Sequence, residues 1–90
     1  MNKQRRNAID TLTTTIADLM AKMEDARDAL EALKDEEQEY YDNMPESLQG
    51  GEKGERASEV VDLLASALSN FDSMRNEIEE AIQSCNDACQ

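Results

Sequence analysis

Apolar residues recur along the first half of the chain at alternating intervals of three and four residues. The series contains Ile9, Leu12, Ile16, Leu19, Met23, Ala26, Leu30 and Leu33, is interrupted by Glu37, and resumes at Tyr40 and Met44. A repeat of this kind is typical of a helix that packs along a partner helix through the a and d positions of a heptad. The pattern predicts a first helix over about residues 3–43, with Ile9 as an a position and Leu12 as a d position.

The second half of the chain repeats the pattern. Its members are Ala57, Val61, Leu64, Leu68, Phe71, Ile78, Ile82, Cys85 and Cys89, with Arg75 as the one polar intruder. This predicts a second helix over about residues 53–88, and Pro45, Gly50 and Gly51 predict a turn over about residues 44–52. Helices joined by a short connection usually pack antiparallel. We therefore expect a single all-α domain over residues 1–90, an antiparallel two-helix coiled-coil hairpin.

The heptads of the two halves agree on one register. In the predicted hairpin each facing pair of residue numbers adds up to 94, as in Ile9 with Cys85, Met23 with Phe71, and Glu37 with Ala57. The pivot of this register is residue 47, inside the predicted turn. Glu37 and Arg75 fall on core positions, where a polar residue can specify register at some cost in stability, although both can also reach water.

A second apolar stripe accompanies the predicted contact on helix two. It contains Val60, Leu63, Ala67, Met74 and Ala81, and helix one offers a weaker counterpart in Met20, Ala29 and Tyr41. This makes the apolar face wider than a two-stranded contact requires. The stripe favours docking of a partner helix or dimerisation into a four-helix bundle. The alternative is that small side chains in the stripe simply tolerate water.

Composition and charge exclude several function classes. Acidic residues outnumber basic ones by 21 to 9, so the formal net charge is −12, and direct binding to nucleic acid or an anionic membrane is not expected. Histidine is absent, and no nucleophile–base arrangement surrounds Tyr40 and Tyr41. We expect no enzyme, no metal and no cofactor. No apolar run is long enough to cross a membrane, so a cytoplasmic protein is expected.

Carboxylates form a predicted ridge on helix one, away from its partner. The ridge residues, spaced by three or four, are Glu24, Asp28, Glu31, Asp35, Glu39 and Asp42. Residues 35–62 hold ten acidic residues against two basic ones, a net charge of −8 at the turn end. Such a ridge can mimic the phosphates of a nucleic acid and block a basic protein surface. The alternative interpretations are a solvated face that keeps the coil soluble, and weak calcium binding, although no calcium-binding loop is present.

Apolar side chains at the turn are candidate anchors beside this ridge: Tyr40, Tyr41, Met44 and Leu48. Cys85 and Cys89 lie four residues apart on one helical face. Two thiolates alone make an incomplete metal site, and a disulfide between these positions of a helix is sterically poor. The favoured interpretation is that both cysteines are small buried residues in the last helical turn. The alternative is a disulfide bridge between two chains.

The segment DEEQEYYDNMPESLQG, residues 35–50, followed by GEKGERA, resembles the turn region of small acidic helical proteins encoded by bacteriophages and prophages. The resemblance covers about 25 residues. It implies a helical hairpin of phage origin that acts in the host cytoplasm, and it brings no established activity. The hypothesis is a stoichiometric inhibitor of a host nucleic-acid-handling or anti-phage defence protein with a basic surface. The alternative hypothesis is a structural or assembly protein that binds a partner helix through the stripe on helix two.

Overall fold

The computed structural model describes all residues, 1–90, and consists of helices joined by turns, without strands. Helix α1 covers Lys3–Asp42, the short helix α2 covers Glu46–Gln49, and α3 covers Glu52–Ala88. The long helices α1 and α3 pack against each other, which confirms the all-α prediction. The chain divides into two compact units, one made of Met1–Asp25 with Phe71–Gln90 and the other of Ala26–Asn70.

In the first unit, the beginning of α1 packs against the end of α3. The Sγ atom of Cys89 lies 4.0 Å from the carbonyl oxygen of Arg6, and the guanidinium of Arg75 binds the carboxylate of Glu24 at 2.8 Å. Asn2 precedes α1, and its Oδ1 accepts a hydrogen bond of 2.8 Å from the backbone N–H of Arg5. This side chain satisfies one of the donors that every helix N-terminus leaves without a partner.

The second unit is a helix–turn–helix hairpin. Pro45 precedes α2, where its missing N–H costs no helical hydrogen bond, and the backbone N–H groups of Leu48 and Gln49 donate to the Pro45 carbonyl at 2.8 and 3.1 Å. The side-chain amide of Gln49 donates to the carbonyl of Tyr41 at 3.0 Å. This bond satisfies an acceptor at the end of α1 and ties α2 to it.

The backbone of α3 passes close to the end of α2 at Gly54. This residue lies near the start of α3 and is buried. A Cβ atom at Gly54 would lie 2.1 Å from the carbonyl oxygen of Gln49 and 2.5 Å from its Cα. Only a residue without a side chain fits at this position. Gly54 thus allows α3 to begin directly against the end of α2.

The fully buried apolar core is small. It contains Ala57, Val61 and Leu68, which are 2%, 9% and 8% exposed, and all three belong to α3. No residue of α1 is buried in this sense. Packing of α1 on α3 therefore leaves a large part of the apolar surface of α1 in contact with water.

The side of α1 that faces α3 differs from the predicted one. Apart from Glu24, the half-buried residues of α1 occupy a and e positions of the heptad: Ile9, Thr13, Ile16, Met20, Met23, Arg27, Leu30, Lys34, Glu37 and Tyr41. The predicted d positions lie outside the contact, because Leu12 and Leu19 are each 60% exposed, Leu33 is 56% exposed and Tyr40 is 51% exposed. Ala26 is exposed as well. The prediction of an a/d contact on helix one was wrong at every d position.

The side chains at the e positions explain how α1 tolerates this rotation of about 50°. The hydroxyl of Thr13 donates to the carbonyl of Ile9 at 2.8 Å, so its polar atom is satisfied within α1. The guanidinium of Arg27 binds Glu31 at 2.6 Å, while its aliphatic part can pack against the neighbouring helix. The predicted counterpart stripe on helix one is corrected by the same rotation, since Met20 and Tyr41 are half-buried in the contact.

Candidate binding surface

The exposed d positions of α1 recur in each compact unit, at Leu12 and Leu19 in the first and at Ala26, Leu33 and Tyr40 in the second. These positions are spaced by seven residues, and we call them the α1 stripe: Leu12, Leu19, Ala26, Leu33 and Tyr40. Residues seven apart lie on the same face of a helix that packs in a bundle. The four large members are all more than half exposed. The α1 stripe is therefore an apolar surface without a partner within the chain.

The predicted stripe on helix two is placed along one face of α3. We call Val60, Leu63, Ala67, Met74 and Ala81 the α3 stripe. Leu63 is 56% exposed, Met74 is 40% exposed and Ala81 is also exposed, whereas Val60 and Ala67 are half-buried. Together the two stripes contain every large exposed hydrophobic residue of the chain except Met1 and Leu48.

In the hairpin unit, the two stripes lie on the same side. Tyr40 from the α1 stripe and Lys53 at the start of α3 line the same cavities. Lys53 precedes Val60 by seven residues, and Val60 precedes Ala67 by seven, so these three residues share one face of α3. The face of α1 that carries Leu33 and Tyr40 therefore meets the face of α3 that carries Val60 and Ala67 at the turn end, where Tyr40 and Lys53 line the same cavities.

In the first unit, which contains both chain termini, an ion-pair cluster lies along one edge of the contact between α1 and α3. Arg75 binds Glu24 at 2.8 Å and lies 3.4 Å from Glu79. Leu19 precedes Glu24 by five residues and Met74 precedes Glu79 by five, which is about 140° around each helix. Leu19 and Met74 therefore share the side of this unit that lies away from the ion pairs. Arg75 does not fill the core position assigned to it, because its side chain is 52% exposed.

The predicted acidic ridge lies on α1, and the carboxylates in its first half lie next to arginine side chains. Glu24 binds Arg75, and Arg27 binds Glu31 at 2.6 Å and lies 3.6 Å from Asp28. The Asp42 carboxylate accepts a hydrogen bond of 2.9 Å from Gln38. Asp35 and Glu39 are exposed carboxylates on the same helix. The full negative charge of the ridge is thus confined to its second half, near the turn.

The predicted turn anchors divide into two exposed and two half-buried residues. Tyr40 and Leu48 are 51% and 56% exposed, whereas Tyr41 and Met44 are half-buried. Tyr40, Met44 and Leu48 line a cavity of about 350 Å³ together with Asn43, Pro45 and Lys53. The structure brings three of the four anchors to one cavity, which Tyr41 does not line.

The cysteines are free thiols at the end of α3, and both are half-buried. Partial burial raises the pKa of Cys89 above its ordinary value, and the nearby carboxylate of Asp10 raises this pKa further. The thiolate form of Cys89 is therefore disfavoured at neutral pH. No group of three or more Cys, Asp or Glu side chains is arranged to hold a metal ion.

Sequence reasoning missed two features of this surface. The α1 stripe was assigned to the helix–helix contact, although the seven-residue spacing of its leucines was visible. The close approach at Gly54 leaves no signal beyond a glycine inside a predicted helix. None of the three helices combines the length and the apolar character that a membrane span requires.

No family model, curated protein or solved structure matches this chain. The resemblance of residues 35–57 to small phage and prophage proteins therefore stays a prediction.

Proposed function

We propose that the protein is a non-catalytic assembly protein that binds α-helices through the α1 and α3 stripes. The observation that carries this proposal is the exposure of Leu12, Leu19 and Leu33, each at 56% or more, along one face of α1. Fully burying a leucine side chain contributes roughly 1.5–3 kcal/mol. Large contiguous apolar surfaces on soluble chains usually mark interaction sites.

The number of apolar heptad positions on each helix is typical of a helical bundle rather than of a two-stranded coiled coil. A helix in a bundle has about three inward-facing positions per heptad, against two in a two-stranded coil. On α1 the a and e positions face α3, and the apolar d positions remain for a further helix. Four-helix packing, with a second copy or with helices of another protein, would cover both stripes.

A second candidate function is supported by the charge at the turn end. Residues 35–62 carry a net charge of −8, and Asp35 and Glu39 project from α1 without a compensating cation. In this function the protein is a nucleic-acid mimic from a phage that inhibits a basic host or defence protein in the host cytoplasm. The compensated half of the ridge supports it less well than the stripes support helix binding.

Matched variants of a tagged bait separate the two functions. Leu19→Glu with Leu33→Glu changes two exposed stripe residues, and Asp35→Lys with Glu39→Lys changes two exposed carboxylates of the same helix. Each bait is retained on beads and exposed to host lysate that also contains an untagged second copy of the chain. Partners are compared at low salt and at about 1 M salt, where charges are screened within ~3 Å.

Helix binding predicts that partners stay bound to the wild-type chain and the lysine variant at high salt. The glutamate variant should lose at least about ten-fold in affinity per position, because each buried leucine contributes more than the ~1.4 kcal/mol of a ten-fold change. Binding that survives the glutamate changes but is lost with the lysine changes or with salt would overturn this proposal in favour of the inhibitor function.

A further inference from the structure

We propose that the turn end of the hairpin unit binds a basic segment of another protein, which inserts an aromatic side chain and an adjacent arginine or lysine into two neighbouring cavities. All residues that line these cavities belong to the second compact unit. The site is separate from the two stripes except at Tyr40, and it does not depend on helix binding through them.

The first cavity is lined mainly by apolar side chains. A volume of about 350 Å³ is surrounded by six residues: Tyr40, Asn43, Met44, Pro45, Leu48 and Lys53. This volume is at the lower end of the roughly 300–1,000 Å³ of ligand pockets, and it admits one large side chain. Aromatic rings pair favourably with a tyrosine ring and with a methionine thioether. An aromatic side chain therefore suits the first cavity.

Hydrogen bonds of the turn hold the walls of the first cavity in place. The backbone N–H of Leu48 donates to the Pro45 carbonyl at 2.8 Å, and the side-chain amide of Gln49 donates to the Tyr41 carbonyl at 3.0 Å. Leu48 is nevertheless 56% exposed, so its side chain is available to a partner. A preformed cavity binds without the cost of ordering its walls.

The second cavity adjoins the first, because Tyr40 and Lys53 line both. Its lining also contains the carboxylates of Glu37 and Glu52, and Glu37 is half-buried. Neither carboxylate has an ion-pair partner in the chain, and Arg56 in the same lining is already ion-paired within α3 at 3.2 Å. A carboxylate that has lost part of its water and has no cation beside it favours binding of a basic side chain.

Charge around both cavities selects a basic partner. Exposed carboxylates without an ion pair are found at Glu39, Asp42 and Glu46, each next to a lining residue in the sequence. Lys53 is the one cation among residues 39–53. A field of this sign attracts a basic segment and repels an acidic one.

This chain does not itself offer such a segment. Tyr41 and Phe71 are half-buried, and Tyr40 belongs to the cavities. Arg75, four residues after Phe71, is ion-paired with two carboxylates. The basic start of the chain, residues 1–7, contains no aromatic residue. We therefore assign the occupant to another protein.

Isothermal titration calorimetry of the wild-type chain with a short synthetic peptide tests the site. The peptide has a phenylalanine between pairs of arginines, and two control peptides carry alanine in place of the phenylalanine or glutamates in place of the arginines. We expect the first peptide to bind with a Kd below about 1 mM and both controls to bind at least about ten-fold more weakly. No binding of the first peptide, equal binding of the alanine peptide, or tighter binding of the glutamate peptide would overturn the proposal.

Two substitutions in the first cavity have opposite expected effects on peptide binding. Leu48→Ala should weaken binding about five- to ten-fold, because a half-exposed leucine loses its contact with the inserted ring. Lys53→Gln should strengthen binding about two- to five-fold, because it removes a charge of the same sign as the peptide. Weaker binding after Lys53→Gln would show that the site prefers an anion and would overturn the proposal.

Leu63→Ala is the matched control for Leu48→Ala. Leu63 is also 56% exposed and lies in the same unit, but it lines neither cavity. Peptide binding should be unchanged by this substitution, and circular dichroism verifies that both variants remain helical. Equal losses at the two leucines would contradict insertion at the turn.

Glu37→Gln with Glu52→Gln should weaken peptide binding about ten-fold, because the second cavity loses both carboxylates that receive the basic side chain. Asp18→Asn with Glu77→Gln removes the same charge from two exposed residues of the first unit. This control should change binding by less than about two-fold at physiological salt. Equal losses would reduce the effect to the net charge of the chain and overturn the second cavity as a site.

The outcomes separate this inference from the proposed function. If the peptide does not bind while the stripes retain a helical partner, only this inference fails. If the peptide binds and the stripes retain nothing, the turn site stands and helix binding fails. A peptide of residues 1–9 of this chain that binds as tightly as the phenylalanine peptide would make a second copy the occupant and overturn the assignment to another protein.

Discussion

Replacing Gly54 by alanine is expected to lower the free energy of unfolding by about 1–3 kcal/mol, the usual cost of overpacking a filled site. The added Cβ atom would lie 2.1 Å from the carbonyl oxygen of Gln49, which is backbone and cannot rotate away. Alanine is a better helix former than glycine by about 1 kcal/mol, so the measured loss is what remains after that gain. Urea unfolding followed by circular dichroism measures the difference.

Gly50→Ala is the matched control, four residues earlier in the chain. No heavy atom lies within 4 Å of a Cβ at Gly50, and its φ of −84° suits any residue. Alanine should stabilise this position by about 0.4–1 kcal/mol, because it restricts the unfolded chain. Equal effects of the two substitutions would show that α3 does not approach α2 as closely as the structure indicates.

Leu68→Ala should destabilise the chain by about 2–5 kcal/mol, the range for removing a buried leucine side chain. Leu68 is 8% exposed and belongs to a fully buried core of only three residues, so few neighbours can fill the cavity. In a chain with so small a core, we expect the loss to remove most of the cooperative thermal transition. Thermal unfolding followed by circular dichroism detects this change.

Leu48→Ala makes the same chemical change at a residue that is 56% exposed. Its effect should stay within about 0.5 kcal/mol, as for other surface substitutions. A loss at Leu48 as large as the loss at Leu68 would contradict the burial pattern of the hairpin unit.

The helices and the turn could be predicted from spacing alone. Intervals of three and four residues identify a helix that packs on a partner, and Pro45 followed by Gly50 and Gly51 identifies the break. These signals are local, since each depends on a few neighbouring residues. They are strong here because no proline interrupts either long helix.

The rotation of α1 could not be predicted in this way. Positions d and e are adjacent in the heptad, and hydrophobicity favoured Leu12 and Leu19 over Thr13 and Met20. The structure places Thr13 and Met20 in the contact, with the Thr13 hydroxyl satisfied by the Ile9 carbonyl, and leaves the leucines outside it. A spacing rule identifies which residues share a face, but not which neighbour covers that face.

The candidate binding surface could be predicted only in part, because spacing does not show which neighbour covers a helix face. The α3 stripe follows from counting apolar residues beyond the a and d positions, whereas the α1 stripe was hidden inside the predicted contact. The acidic ridge was visible as a spacing of carboxylates, but its compensation by Arg75 and Arg27 depends on side-chain geometry. Pairing of that kind leaves no pattern in the sequence.

The most direct test of the central claim is an isotope-filtered NOE spectrum of the chain with labelled leucine and methionine methyl groups, which separates contacts within one copy from contacts between copies. If a and e positions of α1 face α3, Met20 and Met23 will show contacts to α3 within one copy, and Leu12 and Leu19 will show none. Contacts from Leu12 and Leu19 to α3 within one copy, without contacts from Met20, would contradict the exposed α1 stripe and every proposal built on it.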